Sequence, residues 1–317
     1  MTENRICNLL RIRYPILMGG MLWVGTARLA AAVSNAGGLG VIGASNLPIK
    51  NLEQEIQVAQ SLSPHPLGVN VPILNPLSSE HFDYLCQSKR VGIVVSSGGS
   101  PKRHTSRLKD AGMTVLHVIS NLEEARKAEE AGVDAVIAEG VEAGGHNGKD
   151  EMATMVLVPL VADAVHIPVV AAGGICEARG FLAALVLGAE GVQMGTRFIA
   201  AEECEAHVNF KRVIVNAKDT DTVLLGRKIG LRRLLKTSYA QKVQEAENRG
   251  ASIEEMKALW DRNRSKLGFQ GDLENGTFFA GQGVGLIRDV LSVKEIITGM
   301  MAQCPAHLSG LQRKISL

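Results

Sequence analysis

The chain predicts an α/β fold of the (β/α)8 TIM-barrel class with a small helical subdomain, and three observations lead there. Short β-branched runs recur eight times in the first two thirds of the 317 residues. Segments of helical period lie between them. The runs are apolar throughout rather than alternating, as parallel strands buried on both faces are.

In order, the runs fall at 14–18, 39–43, 67–71, 91–97, 114–119, 135–140, 168–174 and 191–197, so successive starts are 21 to 33 residues apart. That spacing is the span of one strand, loop and helix. Helical periodicity predicts helices at 27–35, 51–61, 121–131 and 152–164. The pairs Ala36-Gly37, Ala111-Gly112 and Ala131-Gly132 stand where a left-handed residue ends a helix before the next strand. Residues 155–175 form the most apolar stretch, but Pro159, Asp163, His166 and Pro168 interrupt it, which predicts a buried helix followed by a buried strand rather than a membrane span. These elements assign 1–205 to the barrel.

Beyond residue 205 the rhythm breaks. Residues 211–266 are charged and read as mainly helical, with Ser252 capping a helix ahead of Glu254 and Glu255. This predicts a helical subdomain, 206–274, beside the barrel mouth. The glycine-rich, apolar segment 276–287 then returns the chain to the barrel, and a final helix starts near Ser292, making 275–317 the closing unit.

Composition excludes several classes. The 34 Lys plus Arg and 32 Asp plus Glu nearly balance, which argues against a nucleic-acid binder working by basic excess. With 46% hydrophobic and 21% charged residues, the chain is not of disordered type. Five cysteines form no CxxC pair and suit a reducing compartment. The first 13 residues hold no uninterrupted hydrophobic stretch of signal length, so a cytoplasmic location is expected. The histidines lack metal-ligand spacing and no HExxH is present, so no metal site is expected.

Four motifs bear on chemistry. Gly38-Leu39-Gly40-Val41-Ile42-Gly43 fits the dinucleotide GxGxxG pattern, but it follows a helix and itself forms a strand, the reverse of what that fold requires. A better phosphate site is the pairing of Gly173-Gly174 after the seventh run with Gly195-Thr196 after the eighth, where barrels commonly seat phosphate on loop amides. The sharpest signal is the loop Glu139-Gly140-Val141-Glu142-Ala143-Gly144-Gly145-His146-Asn147-Gly148. Its glycines let backbone approach a planar ligand, and His146 can exchange protons near neutral pH; the plainer alternative is that His146 only hydrogen-bonds its loop. Cys176, just past the glycine pair, serves as well for packing as for nucleophilic chemistry.

Gly19-Gly20-Met21-Leu22-Trp23, Ser34-Asn35-Ala36-Gly37-Gly38-Leu39-Gly40, Gly68-Val69-Asn70, Glu142-Ala143-Gly144-Gly145-His146, Ala172-Gly173-Gly174-Ile175 and Gln193-Met194-Gly195-Thr196-Arg197-Phe198 occur in this order, followed by Ala280-Gly281-Gln282-Gly283. In these the chain resembles the nitronate monooxygenase (2-nitropropane dioxygenase) family, which includes the FMN-dependent enoyl-acyl-carrier-protein reductases of type II. The resemblance implies a barrel holding FMN noncovalently, its phosphate on Gly173, Gly174, Gly195 and Thr196. It places Gly20, Met21, Asn70, Glu139 and Gln193 near the flavin ring or ribityl chain and His146 on the reacting side. Strand alternation allows Gln193 to turn into the barrel core instead, and His117, ending the fifth run, suits a flavin edge or a core equally.

Two activities follow from the resemblance. One is NAD(P)H-dependent reduction of a 2-enoyl thioester with His146 as the acid, towards which Gly-Gly-Met-Leu-Trp and Gly-Thr-Arg-Phe incline the reading. The other is oxidation of alkyl nitronates with O2, with His146 binding the anion or acting as base. Leu22 stands where alanine is expected and would narrow the pocket. Further readings are a sugar-phosphate lyase or isomerase, against which the absence of a strand lysine counts, and a non-catalytic flavin-binding protein. Expected partners are a small-molecule or acyl-thioester substrate, an acyl carrier protein and a second copy in a homodimer, with no nucleic acid or membrane. Arg227, Lys228, Arg232 and Arg233 suit either an acidic carrier or a solvated helix face.

Overall fold

The computed structural model describes residues 4–45, 47–261 and 263–315. The barrel strands are β1 (Ile16–Met18), β2 (Gly40–Gly43), β3 (Leu67–Pro72), β4 (Ile93–Ser97), β5 (Thr114–Ile119) and β6 (Ala135–Glu139); then, beyond a two-residue β7 (Gly145–His146) outside the barrel, β8 (Val169–Ala172) and β9 (Gly191–Met194). They form one eight-stranded sheet in the order β1-β9-β8-β6-β5-β4-β3-β2, every pair parallel. A parallel bridge between Leu17 and Leu39 joins the two edges, with Met18 N–H donating to Leu39 O and Leu39 N–H to Ile16 O, both at 2.9 Å. All eight runs read from the sequence are therefore strands of one nearly closed barrel.

Alternate residues along each strand separate into two cores, which is why the runs are apolar without a break. Leu17, Val41, Val95, Leu116, Ile137 and Val170 pack inside the barrel, joined by Ile6 and Leu10 from the first helix, Arg5–Leu10. Ile42, Val69, Val94, Val115, Val136 and Val192 point outward, under the helices. The helices at Ala27–Asn35, Ile49–Leu62, Leu122–Glu130 and Thr154–Ala162 lie where the periodicity placed them. Gly37, Gly112 and Gly132, at φ of 95°, 81° and 83°, end helices in the left-handed region as expected. The GxGxxG decoy resolves as packing: a Cβ on Gly40 would lie 1.8 Å from the Ala30 carbonyl oxygen, so glycine lets strand β2 touch the preceding helix.

The last helix, Val293–Lys314, starts in a capping box between Ser292 and Glu295 and packs between helices Ala27–Asn35 and Ala178–Val186. It thus fills the place of the barrel's eighth helix, and residues 200–292 are inserted between strand β9 and that helix. Within the insertion lie helices Val208–Val215, Ser238–Asn248, Ile253–Leu259 and Asn263–Phe269, the third capped by Ser252. The segment read as mainly helical also holds an antiparallel pair, β10 (Thr222–Leu225) and β11 (Arg232–Leu235). Strand β11 pairs in turn with β7, placing Arg232 opposite His146 and Arg233 opposite Gly145. No described helix is long and apolar enough to cross a membrane.

Candidate active site

A cavity of about 820 Å³ opens at the C-terminal rim of the barrel. Gly20, Met21, Asn70, Glu139, His146, Gly173, Gly174, Gln193, Gly195 and Thr196 all line it. Ten residues read from the sequence thus converge on one cavity because they lie at the ends of barrel strands or in the loops that follow them, where all parallel strands point the same way.

At one side the turns after β8 and β9 form a cradle of backbone amides. Gly173 and Gly174 sit at φ of 99° and 74°, a region open to glycine at little cost, and this turns their peptide groups toward the cavity. Among the described residues, no acceptor takes the N–H of Gly174, Gly195 or Thr196. The carboxylate of Glu142, close by, is occupied: it accepts from the Thr154 amide and, at 2.9 Å, from the Thr154 hydroxyl. Gly281 N–H donates to Thr196 Oγ1 at 2.9 Å and Gln282 N–H to Glu142 O at 2.8 Å, so the Ala280-Gly281-Gln282-Gly283 segment closes the cradle from the far end of the chain.

The floor is polar and under-satisfied. Gln193 is buried, and its Oε1 has no hydrogen-bond partner among the described residues. The alternation that could have hidden it in the core instead leaves it in the top layer, facing the cavity. The Glu139 carboxyl, enclosed by protein and open only to the cavity, is pushed up to about 7 by burial. Asn70, also buried, donates to Val95 O at 3.1 Å and Ser97 Oγ at 3.3 Å, and Gly20 lies so close that a Cβ there would be 2.2 Å from Asn70 Cβ. His117 lines the same cavity, contacts Ser96 Oγ at 2.8 Å through Nδ1, and is driven down to about 4 by burial, so it is neutral near pH 7. Burial pushes the Cys176 thiol up to about 12 and its Sγ meets Gly283 O at 3.5 Å, which suits packing and not nucleophilic attack.

The mouth is built by the insertion. His146 is exposed there, and Arg232 Nε donates to its Nε2 at 3.0 Å. The Arg232 guanidinium also stacks over Trp260, 4.8 Å from the ring centroid. Trp23, in the loop after β1, donates through Nε1 to Ser265 Oγ at 3.1 Å, bridging barrel and insertion across the opening. Sequence alone does not bring Arg232 or Trp260 to His146, because only the β7–β11 pairing does so.

The reading of Arg227, Lys228, Arg232 and Arg233 as a solvated helix face is corrected by the hairpin. Arg233 is buried and donates to Val141 O at 2.9 Å, Arg227 pairs with Glu151, and Lys228 Nζ donates to Ala251 O at 2.8 Å. The first two contacts tie the His146 loop to the insertion, and the third lies within it. Among the described residues, no group of three or more His, Cys, Asp or Glu is placed to hold a metal ion.

A parallel barrel with amide-lined turns after its last two strands, orphaned polar groups on the cavity floor and an imidazole at the mouth defines a cofactor-dependent barrel enzyme. The family model of nitronate monooxygenase matches residues 3–91 and 84–303, and the chain belongs to that family of FMN-type oxidoreductases. A Staphylococcus haemolyticus protein named as a probable nitronate monooxygenase is 37% identical over 266 residues, 70% of this chain and 74% of its own. FabK from Thermotoga maritima is 41% identical with a TM-score of 0.94, covering 99% of this chain and 100% of that one. Nitroalkane oxidase from Streptomyces ansochromogenes is 28% identical with a TM-score of 0.83, covering 96% and 99%.

Proposed function

We propose that the protein is an FMN enzyme that reduces 2-enoyl thioesters at the expense of NAD(P)H. The observation that carries the choice of substrate is the apolar wall of the cavity. Leu22, Leu74 and Phe279 line the same space as the polar floor, giving surface that an alkyl chain covers and a small nitronate does not. The volume lies in the upper part of the ~300–1,000 Å³ range of small-molecule sites, room for a flavin and an elongated second molecule. The whole-length likeness to FabK, a type II enoyl-acyl-carrier-protein reductase, supports the same choice.

The residues present fit FMN. Gly173, Gly174, Gly195 and Thr196 would hold the phosphate on amides that lack another acceptor among the described residues. Gln193 Oε1 and the Glu139 carboxyl, both short of donors, would accept from the flavin's N–H and hydroxyl groups, and Gly20, Met21 and Asn70 would border the ring. When bound, FMN supplies the two-electron exchange that no side chain here can provide. His146 would donate a hydrogen bond to the substrate's polar end, and the Trp23–Ser265 bridge helps keep water from the cavity.

A second reading, oxidation of alkyl nitronates with O2, is favoured by the Staphylococcus relative and by the cationic Arg232 at the mouth. Parallel anaerobic mixing discriminates the two. NADH or NADPH should bleach the flavin absorbance and a crotonyl thioester should restore it. Bleaching by an alkyl nitronate alone, with no response to either nicotinamide, would replace the proposal with the second reading.

A further inference from the structure

We infer that Arg232 is a positioning residue: the hydrogen bond its Nε donates to His146 Nε2 holds the imidazole in the neutral tautomer whose proton is on Nδ1. A ring nitrogen that accepts a hydrogen bond presents its lone pair and cannot carry a proton. At 3.0 Å the contact has normal hydrogen-bond length, and a guanidinium can only donate.

Three constraints aim the guanidinium. Arg232 is directly opposite His146 in the β7–β11 register, where cross-strand side chains are nearest neighbours. Its planar head rests on Trp260 at 4.8 Å, and its NH1 group donates to Gly230 O at 3.3 Å. An imidazolium in this arrangement would set two N–H groups head to head beside a fixed cation. Other charges share the neighbourhood: Lys149 and Asp261 line the cavity, Glu142 and Glu151 lie on the His146 loop, and Arg227 and Arg233 lie on the hairpin.

The consequence for chemistry rests on the function proposed above, but the tautomer does not. In this tautomer the proton His146 can offer is the one on Nδ1, suited to an oxygen that bears negative charge, as the carbonyl of an enoyl thioester does once hydride reaches the β-carbon and as a nitronate does before it is oxidised. This is a different task from that of an imidazolium acid. A neutral histidine used as an electrophile is an established pattern in barrel chemistry.

The test is a long-range 1H–15N correlation spectrum of the protein as purified, labelled with 15N-histidine and recorded without substrate. The His146 signals are assigned by their loss in His146→Gln. Near neutral pH we expect a pyrrole-type shift for Nδ1 and a pyridine-type shift for Nε2. Arg232→Met, which keeps an apolar stem over Trp260 but removes the donor, should shift Nε2 toward the protonated type, and Arg232→Lys should restore the original pattern in part. A protonated Nε2 in the unaltered protein, or an unchanged pattern in Arg232→Met, overturns the inference. Should Arg232→Met fail to fold, the spectrum of the unaltered protein still decides. No substrate is present, so failure to reduce a crotonyl thioester would sink the proposed function and leave this result standing.

Discussion

Replacing Gly195 with alanine separates ligand binding from folding, because the structure gives the two effects opposite signs. The backbone there has φ of −114°, which any L residue adopts, and the added Cβ would meet only Met21 Sδ, at the ordinary distance of 3.5 Å. Glycine to alanine at a compatible position stabilises by about 0.4–1 kcal/mol, chiefly by restricting the unfolded chain. The same methyl group projects beside an amide assigned to the FMN phosphate. Weakening one charge-assisted hydrogen bond is worth about 1.5–3 kcal/mol, or roughly 10- to 100-fold in Kd at about 1.4 kcal/mol per decade. Urea unfolding of the flavin-free protein should therefore show a slightly higher midpoint, and fluorescence titration with FMN a Kd higher by one to two decades. An unchanged Kd with normal stability would refute the placement of the phosphate.

Three further outcomes are expected. His146→Ala should lower turnover by about 10²-fold while FMN affinity stays within about two-fold, since His146 lies at the mouth and not in the amide cradle; turnover equal to the parent would make it a loop-structuring residue. Glu139 has a folded pKa of about 7 against 4.5 unfolded, so the native state holds its proton more tightly, and stability of the flavin-free protein falls as pH rises between those values. The loss is about 3 kcal/mol, and unfolding titrations at both ends of the window should show it absent in Glu139→Gln. Cys176, buried with its thiol pushed up to about 12, should resist iodoacetamide in the native protein while the half-buried Cys86 reacts faster; equal rates, followed by peptide mapping, would contradict this.

Most of the barrel was legible because its signals are local. Continuous apolar runs mark strands covered on both faces, and Gly37, Gly112 and Gly132 mark the helix ends between them. The same rule exposed the 38–43 decoy, since a helix precedes it. That the candidate residues would come together was legible for a topological reason: parallel strands bring Gly20, Asn70, Glu139, Gly173 and Gly195 to one rim from distant places in the sequence. The hairpin was not. Strands β10 and β11 have four residues each, and the two adjacent arginines of β11 erase the period-2 pattern. They are tolerated there because Val141 O and His146 accept from them across long sequence separations and Thr222 accepts within the hairpin. Gly226 and Gly230, at φ of 89° and 106°, flank the turn and were the one signal that could have revealed it. Gln193 shows the limit of alternation: it faces inward as its strand dictates, but sits high enough in the barrel that inward means toward the cavity.

The most direct measurement is a crystal structure of the protein with FMN bound. The phosphate should lie within hydrogen-bond distance of the N–H groups of Gly174, Gly195 and Thr196, with the isoalloxazine between Gln193 and His146. A phosphate seated elsewhere on the rim, or a ring lying away from His146, would contradict the account.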